Sequence, residues 1–175
     1  GDEERNLQGW RDRLKPRGTL MIEHRLIERV LKLVRNDICR LTESKKVDGV
    51  FLDHVVDFIR TYADRTHHGK EEDILFRELA KKNMSPQDKR IMRELVDEHK
   101  HARKTVSELV DAKQKYMDGE SSALDTIATR LQILVDFYPA HIVKEDKGFF
   151  PSTEQYFTEK ELDAMLAEFW EFDRK

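Results

Sequence analysis

Two stretches of the chain place a histidine four residues before a glutamate, His68 before Glu72 and His141 before Glu145. Residues at i and i+4 share a face of an α-helix, so each stretch offers an imidazole and a carboxylate to one neighbour. Both interrupt apolar stripes: His68 is in register with Leu75 and Leu79, and His141 follows Phe137. Two single histidines do the same, His24 between Leu20 and Ile27 and His99 between Leu95 and Ala102. An inward carboxylate costs several kcal/mol unless it is paired or bound to a cation, so Glu72 and Glu145 need compensation. Imidazole and carboxylate donors without thiolate suit iron, manganese or zinc. Two acids set between two histidine pairs favour a dinuclear centre, with one ion on His24 and His68, the other on His99 and His141, and Glu72 and Glu145 bridging. Coordination positions stay free in such a set, as they do not in a closed structural zinc site.

The remaining polar residues sort by helical phase. His54 lies about 21 Å along the axis from His68, too far to share its site. His101, two residues from His99, points the opposite way. His67 has its own partner at i+4, Glu71, and this pair is the alternative to His68 and Glu72. The 68/72 line continues into Leu75 and Leu79, whereas the 67/71 line meets the charged Glu78, which favours His68 with Glu72. Asp146 is the alternative to Glu145, reachable only with local unwinding. Glu28, four after His24, is a candidate to support that ring. Leu75, Leu95, Leu134 and Phe137 would form dry walls, with Tyr62 and Tyr138 near enough in phase to support the ligands but favoured as core aromatics whose hydroxyls are bonded.

The elements that position these residues follow from composition and periodicity. The 175 residues suffice for about one core, and scarce glycine (7) and proline (4) in a chain that is 38% charged point to helices rather than sheets. Residues 1–18 read as an irregular N-terminal arm. Residues 19–151 carry four stripes of helical period, broken at Ser44–Gly49, at Asn83–Pro86 and at Asp118–Gly119, and residues 152–175 add a short helix with a capping box at Thr158 and Glu161, packed on the outside. The expected fold is all-α, an up-down-up-down four-helix bundle with an appended C-terminal helix. In antiparallel neighbours, residues meet when they are equally far from the turn between them. His24 lies about 22 residues before the turn near Lys46 and His68 about 22 after it; His99 and His141 match to within roughly one turn.

HHGKEEDILF (67–76) and HIVKEDKGFFP (141–151), with LMIEHRLIERVL (20–31) upstream and DEHKHARKTV (97–106) between them, resemble the hemerythrin-like HHE cation-binding domains from about residue 19 onward. The C-terminal LDAMLAEFWEFDRK is similar to tails that follow this domain in bacterial and archaeal members. The resemblance implies a carboxylate-bridged centre of two iron ions in a four-helix bundle, with ligand roles on His24, His68, Glu72, His99, His141 and Glu145, and O2, NO or peroxide as the small ligand. In the oxygen-carrying members the third helix contributes two histidines four apart. Here Leu95 and Arg103 stand four to either side of His99, so one ligand of that pattern is missing, while Asp146 keeps the family's aspartate spacing.

A net charge of −3 from 32 basic and 35 acidic residues excludes the field of a nucleic-acid binder or an anionic-membrane anchor. The lone Cys39 forms no internal disulfide, and without an apolar run of membrane length the chain reads as soluble and cytoplasmic. The pattern favours a protein that binds metal and O2 over a dedicated enzyme. Its rivals are an iron-handling or peroxide- or NO-consuming enzyme, and a metal-free helical module whose inward acids pair with Arg103.

Overall fold

The computed structural model describes residues 2–13 and 15–175, and among them there is no strand. The lead-in differs from expectation, because Asp2–Arg13 forms a helix, α1. Its first turn holds Asp2, Glu3 and Glu4, acids that complement the positive end of the helix dipole.

Helix α2 spans Pro16–Ser44, with proline in its first turn where no amide partner is needed, and ends at Lys45 in the left-handed conformation (φ 57°), whose N–H bonds the Leu41 carbonyl. Asp48 then caps α3 by accepting from the Phe51 N–H. Helix α3 is one column built of Gly49–Phe58, two stretches with i→i+5 bonding, Ile59–His68 and Glu71–Phe76, and a last turn Arg77–Leu79. Ser85 accepts from the Asp88 N–H to start α4, Pro86–Met117. Helix α5 comprises Ala123–Val143, an i→i+5 stretch Lys144–Phe149, and Phe150–Glu154. Pro139 lies inside it and cannot donate to the Val135 carbonyl; the Arg35 guanidinium donates to that oxygen from α2 at 3.4 Å. The expected capping box of Thr158 and Glu161 opens α6, Glu159–Asp173.

Polar contacts give the register. Asp53 and Asp64 on α3 meet Lys113 and Arg103 on α4, while Glu98 and Glu108 on α4 meet Lys144 and Arg130 on α5. Helix α5 meets α2 through Asp146 with His24 and Val135 with Arg35. In each pair the numbers rise on one helix as they fall on the other, so these neighbours are antiparallel. No helix among the described residues is long and apolar enough to cross a membrane.

The core has two apolar parts. One, toward the α2–α3 turn, includes Leu31, Leu41, Leu52, Leu109, Ile127 and Leu131; the other, toward the opposite end, includes Leu20, Leu79, Leu95, Phe149, Met165 and Phe169. Helix α6 therefore does not merely lie on the outside. Its Met165 and Phe169 complete the second cluster, because the ring of Phe169 is fully enclosed. Between the two parts lies a layer of buried histidine and glutamate.

Candidate metal centre

Helix α3 brings two adjacent histidines into the bundle, and its widened turns are the reason. Val55, Ile59, Ala63, His67, Glu71, Leu75 and Leu79 are all buried, each four residues after the last. On a regular helix each step of four overshoots by about 40°, so six steps would carry the stripe roughly 240° around the axis. The i→i+5 turns hold extra residues and cancel that drift. The line that faces inward is consequently 67/71/75/79, not 68/72/75/79. His68 also stays inside, stacked on His99 with ring centres 3.7 Å apart.

Five of the six expected residues converge: His24, His68, His99, His141 and Glu145 are all 1% exposed or less. Glu72 does not join them. The phase shift places it at the rim, where one oxygen accepts from the Arg103 guanidinium at 2.5 Å and the other stands 3.6 Å from His99 Nδ1. Glu71, fully buried, takes the inward position, and His67 adds a fifth imidazole. Their signal in the sequence was the four-residue repeat, which a 3.6-residue period obscures. His54 and His101 are exposed, as expected, and so is Glu28, which pairs with Arg25.

The seven side chains form overlapping sets. His24, His67, Glu71 and Glu145 bring donor atoms within 4.8 Å of one another; so do Glu71, His99, His141 and Glu145, and so do His68, His99 and His141. Within the cluster Nε2 of His67 is 2.6 Å from a Glu71 oxygen, and Nε2 of His24 and of His141 lie 3.3 and 2.9 Å from Glu145 Oε1. Yet Nε2 of His24, His67 and His68 and both oxygens of Glu71 and Glu145 are buried without a hydrogen-bond partner. Donor atoms that crowd together without pairing off are satisfied by a shared cation.

Outside this ring, carboxylates hold the other ring nitrogens. Nδ1 of His24 is 2.7 Å from Asp146, that of His67 is 2.9 Å from Glu23, that of His68 is 3.0 Å from Asp64, and that of His141 is 3.3 Å from Glu98. Asp146 thus supports His24 while Glu145 faces the centre. Such carboxylate partners fix the tautomer that leaves Nε2 free to ligate and raise its basicity.

Charges inside the cluster oppose each other. Burial and the neighbouring Glu145 charge raise the Glu71 carboxyl, whereas for Glu145 burial is outweighed by the close charge of His141 and the crowded rings beside it, which hold it well below the carboxylate range. His68 is pushed down by burial and by His99. His67 and His141 are pushed up to about 10, because the Glu71 and Glu145 carboxylates overcome the effect of burial. Without metal both rings are therefore protonated at neutral pH, and a ligand must be deprotonated. Metal loading near pH 7 is expected to release at least about two protons, so that log affinity climbs by about two per pH unit, flattening as pH approaches 10. Calorimetric titration in buffers of different ionisation enthalpy measures this; an uptake independent of buffer would contradict it.

The geometry agrees with one comparison. A family model for the hemerythrin HHE cation-binding domain matches residues 16–153. No curated protein and no solved structure matches the chain.

Proposed function

The chain belongs to the hemerythrin HHE cation-binding family, is a metal-binding protein by that membership and its buried histidine and glutamate cluster, and from that premise we propose a two-iron centre that binds O2 or a related small ligand such as NO or peroxide. His24 and His67 would hold one ion and His68, His99 and His141 the other, with Glu71 and Glu145 bridging. The expected division into two equal histidine pairs gives way to two against three. One ion then has four protein donors and the other five, which leaves the two-histidine ion the better able to accept an exogenous ligand. Bound iron would supply the electrons and Lewis acidity that such ligands require.

The chain's own part is to preorganise and to exclude water. Asp146, Glu23, Asp64 and Glu98 orient the imidazoles from outside. Phe150 stacks on His24 with the planes 6° apart, and Phe76 lies parallel to His99. These faces and the apolar clusters on either side lower the local dielectric around the donors.

The observation that carries the proposal is the set of buried, unpartnered donor atoms on Glu71, Glu145 and three histidines. A metal-free module would have to pair its inward acids with cations of its own. Arg103 reaches Glu72 and Asp64, and the charges nearest Glu71 and Glu145 are rings of the cluster itself, His67 at 2.6 Å and His141 at 2.9 Å, without hydrogen-bond geometry. Anaerobic loading with Fe(II) followed by elemental analysis is expected to give about two iron per chain, with manganese and zinc as comparisons, and exposure to O2 or NO should change the visible spectrum. A chain that retains no metal after loading overturns the reading. Turnover assays with Fe(II), peroxide and NO separate a carrier or sensor from an enzyme.

A further inference from the structure

A cavity of about 180 Å3 opens between α3, α4 and α5 on the His68 side of the cluster. Its inner surface is buried: Ile59, Ala102 and Val106 supply apolar wall, and His68 and Tyr138 lie at 1% exposure each. Its outer end is charged, with Arg103 bonded through Nε to both oxygens of Asp64 at 2.9 and 3.0 Å. The Tyr138 hydroxyl was expected to be bonded within the core; it is buried and has no hydrogen-bond partner. A buried hydroxyl left in this state costs roughly 1–3 kcal/mol unless something accepts its proton.

We infer that this cavity is a chamber for a small uncharged molecule with one hydrogen-bond acceptor, to which the Tyr138 hydroxyl donates. The chemistry of the walls selects that class. Three aliphatic side chains favour an apolar guest, and the single donor in the buried part fixes one acceptor atom. Two guanidiniums lie on its outer lining: Arg103 is already neutralised by Asp64 and Glu72, and Arg60 is exposed to solvent, so neither draws an anion into the buried part. Water's share of liquid volume is about 30 Å3, so a diatomic molecule fits with room to move. His68 forms the wall shared with the metal cluster, its ring lying 11° from parallel to that of Tyr138 with centres 6.4 Å apart. Its Nδ1 is tied to Asp64, and Asp64 to Arg103, so the residues at the mouth also hold the shared wall in place.

The chamber's role as the approach to the iron rests on the function proposed above, and two measurements separate the two ideas. Xenon pressurisation of crystals reads the cavity directly, and xenon is expected beside Tyr138 whether or not metal is loaded. Stopped-flow mixing of iron-loaded protein with NO reads its use. Ala102→Leu, which fills the apolar wall, is expected to slow NO association about tenfold or more at unchanged iron content. Tyr138→Phe keeps the ring and removes the donor that holds a molecule in the chamber; it is expected to slow association about threefold and, because the His68 ring forms the wall toward the cluster, to leave the N–O stretching frequency of iron-bound NO unchanged. Xenon found only elsewhere, or NO rates at wild-type values in both variants, overturns the chamber. A protein that retains no iron overturns the function proposed for the centre instead, and the xenon result still decides the cavity.

Discussion

Glu71→Gln abolishes metal retention, whereas Glu72→Gln leaves it intact. Neighbouring glutamates make this a sharp contrast, because a single residue step around the widened helix separates an enclosed acid from one on the rim. Glu71 is fully buried with both oxygens unpartnered, and it belongs to two of the overlapping donor sets. An amide keeps its shape but removes the negative charge and one strong donor oxygen. Retained iron after gel filtration is expected to fall about tenfold or more, to background. The stabilisation that the metal confers goes with it: about 4 kcal/mol at a thousandfold excess over Kd, or roughly 8–16 °C in melting temperature for a chain of this size. In chelator the difference shrinks. Glu71→Gln relieves two enclosed carboxylates of mutual repulsion but also takes from His67 the charge 2.6 Å away, so the metal-free variant melts close to metal-free wild type. At Glu72 the same change loses an ion pair with a partly exposed Arg103, worth about 1 kcal/mol or less. Equal iron content in both variants would refute the placement of Glu71.

Lys70→Met destabilises the fold by about 3–5 kcal/mol and weakens metal binding through a side chain that ligates nothing. Lys70 is completely enclosed. Its ammonium donates to Glu23 and to Asp173 near the end of α6, the latter at 2.7 Å, and stands 5.9 Å from the centre of the Phe169 ring. Glu23 in turn holds His67 Nδ1. Methionine fits the space but strips the ammonium from one oxygen of Glu23 and leaves that charge to His67 alone, frees the end of α6, and loosens the ring that His67 presents to the centre. Urea unfolding measures the stability, and a competing chelator measures the affinity, expected to fall about 10–100-fold. Glu23→Gln added to Lys70→Met should recover part of the stability, since the stranded charge is gone. Asp173→Asn should be milder, because its side chain is 38% exposed.

The expected helices were legible where their signals are local. Ser85 with Pro86, Asp118 with Gly119, and Thr158 with Glu161 act within one turn, and all stand at helix ends. Levels along the bundle were legible too, since rise per residue is nearly constant and distances from the turns brought His24, His68, His99 and His141 to one layer. Phase was the part that failed. A reading at 3.6 residues per turn cannot register i→i+5 bonding, so it preferred Glu72 for the inside and kept His67 with Glu71 only as the alternative. Without His67 the layer counted four imidazoles; the structure buries a fifth there, from α3 rather than α4. Other omissions were tertiary. Nothing local shows that Lys70 lies between Glu23 and Asp173, that Phe169 closes a core, or that residues 2–13 form a helix.

The layer of histidine and glutamate also divides the interior. The apolar clusters above and below it share no residue, so no continuous oily seam runs from one end of the bundle to the other. Apolar burial, the dominant favourable contribution in most domains, cannot by itself make the two ends fold as one unit. Ions clamped across the layer would tie all four long helices at one cross-section, and cooperativity itself would then be a property of the loaded state. Bound metal would be the keystone of this chain: with it the two half-cores would stand or fall together, and without it each would be left to its own stability.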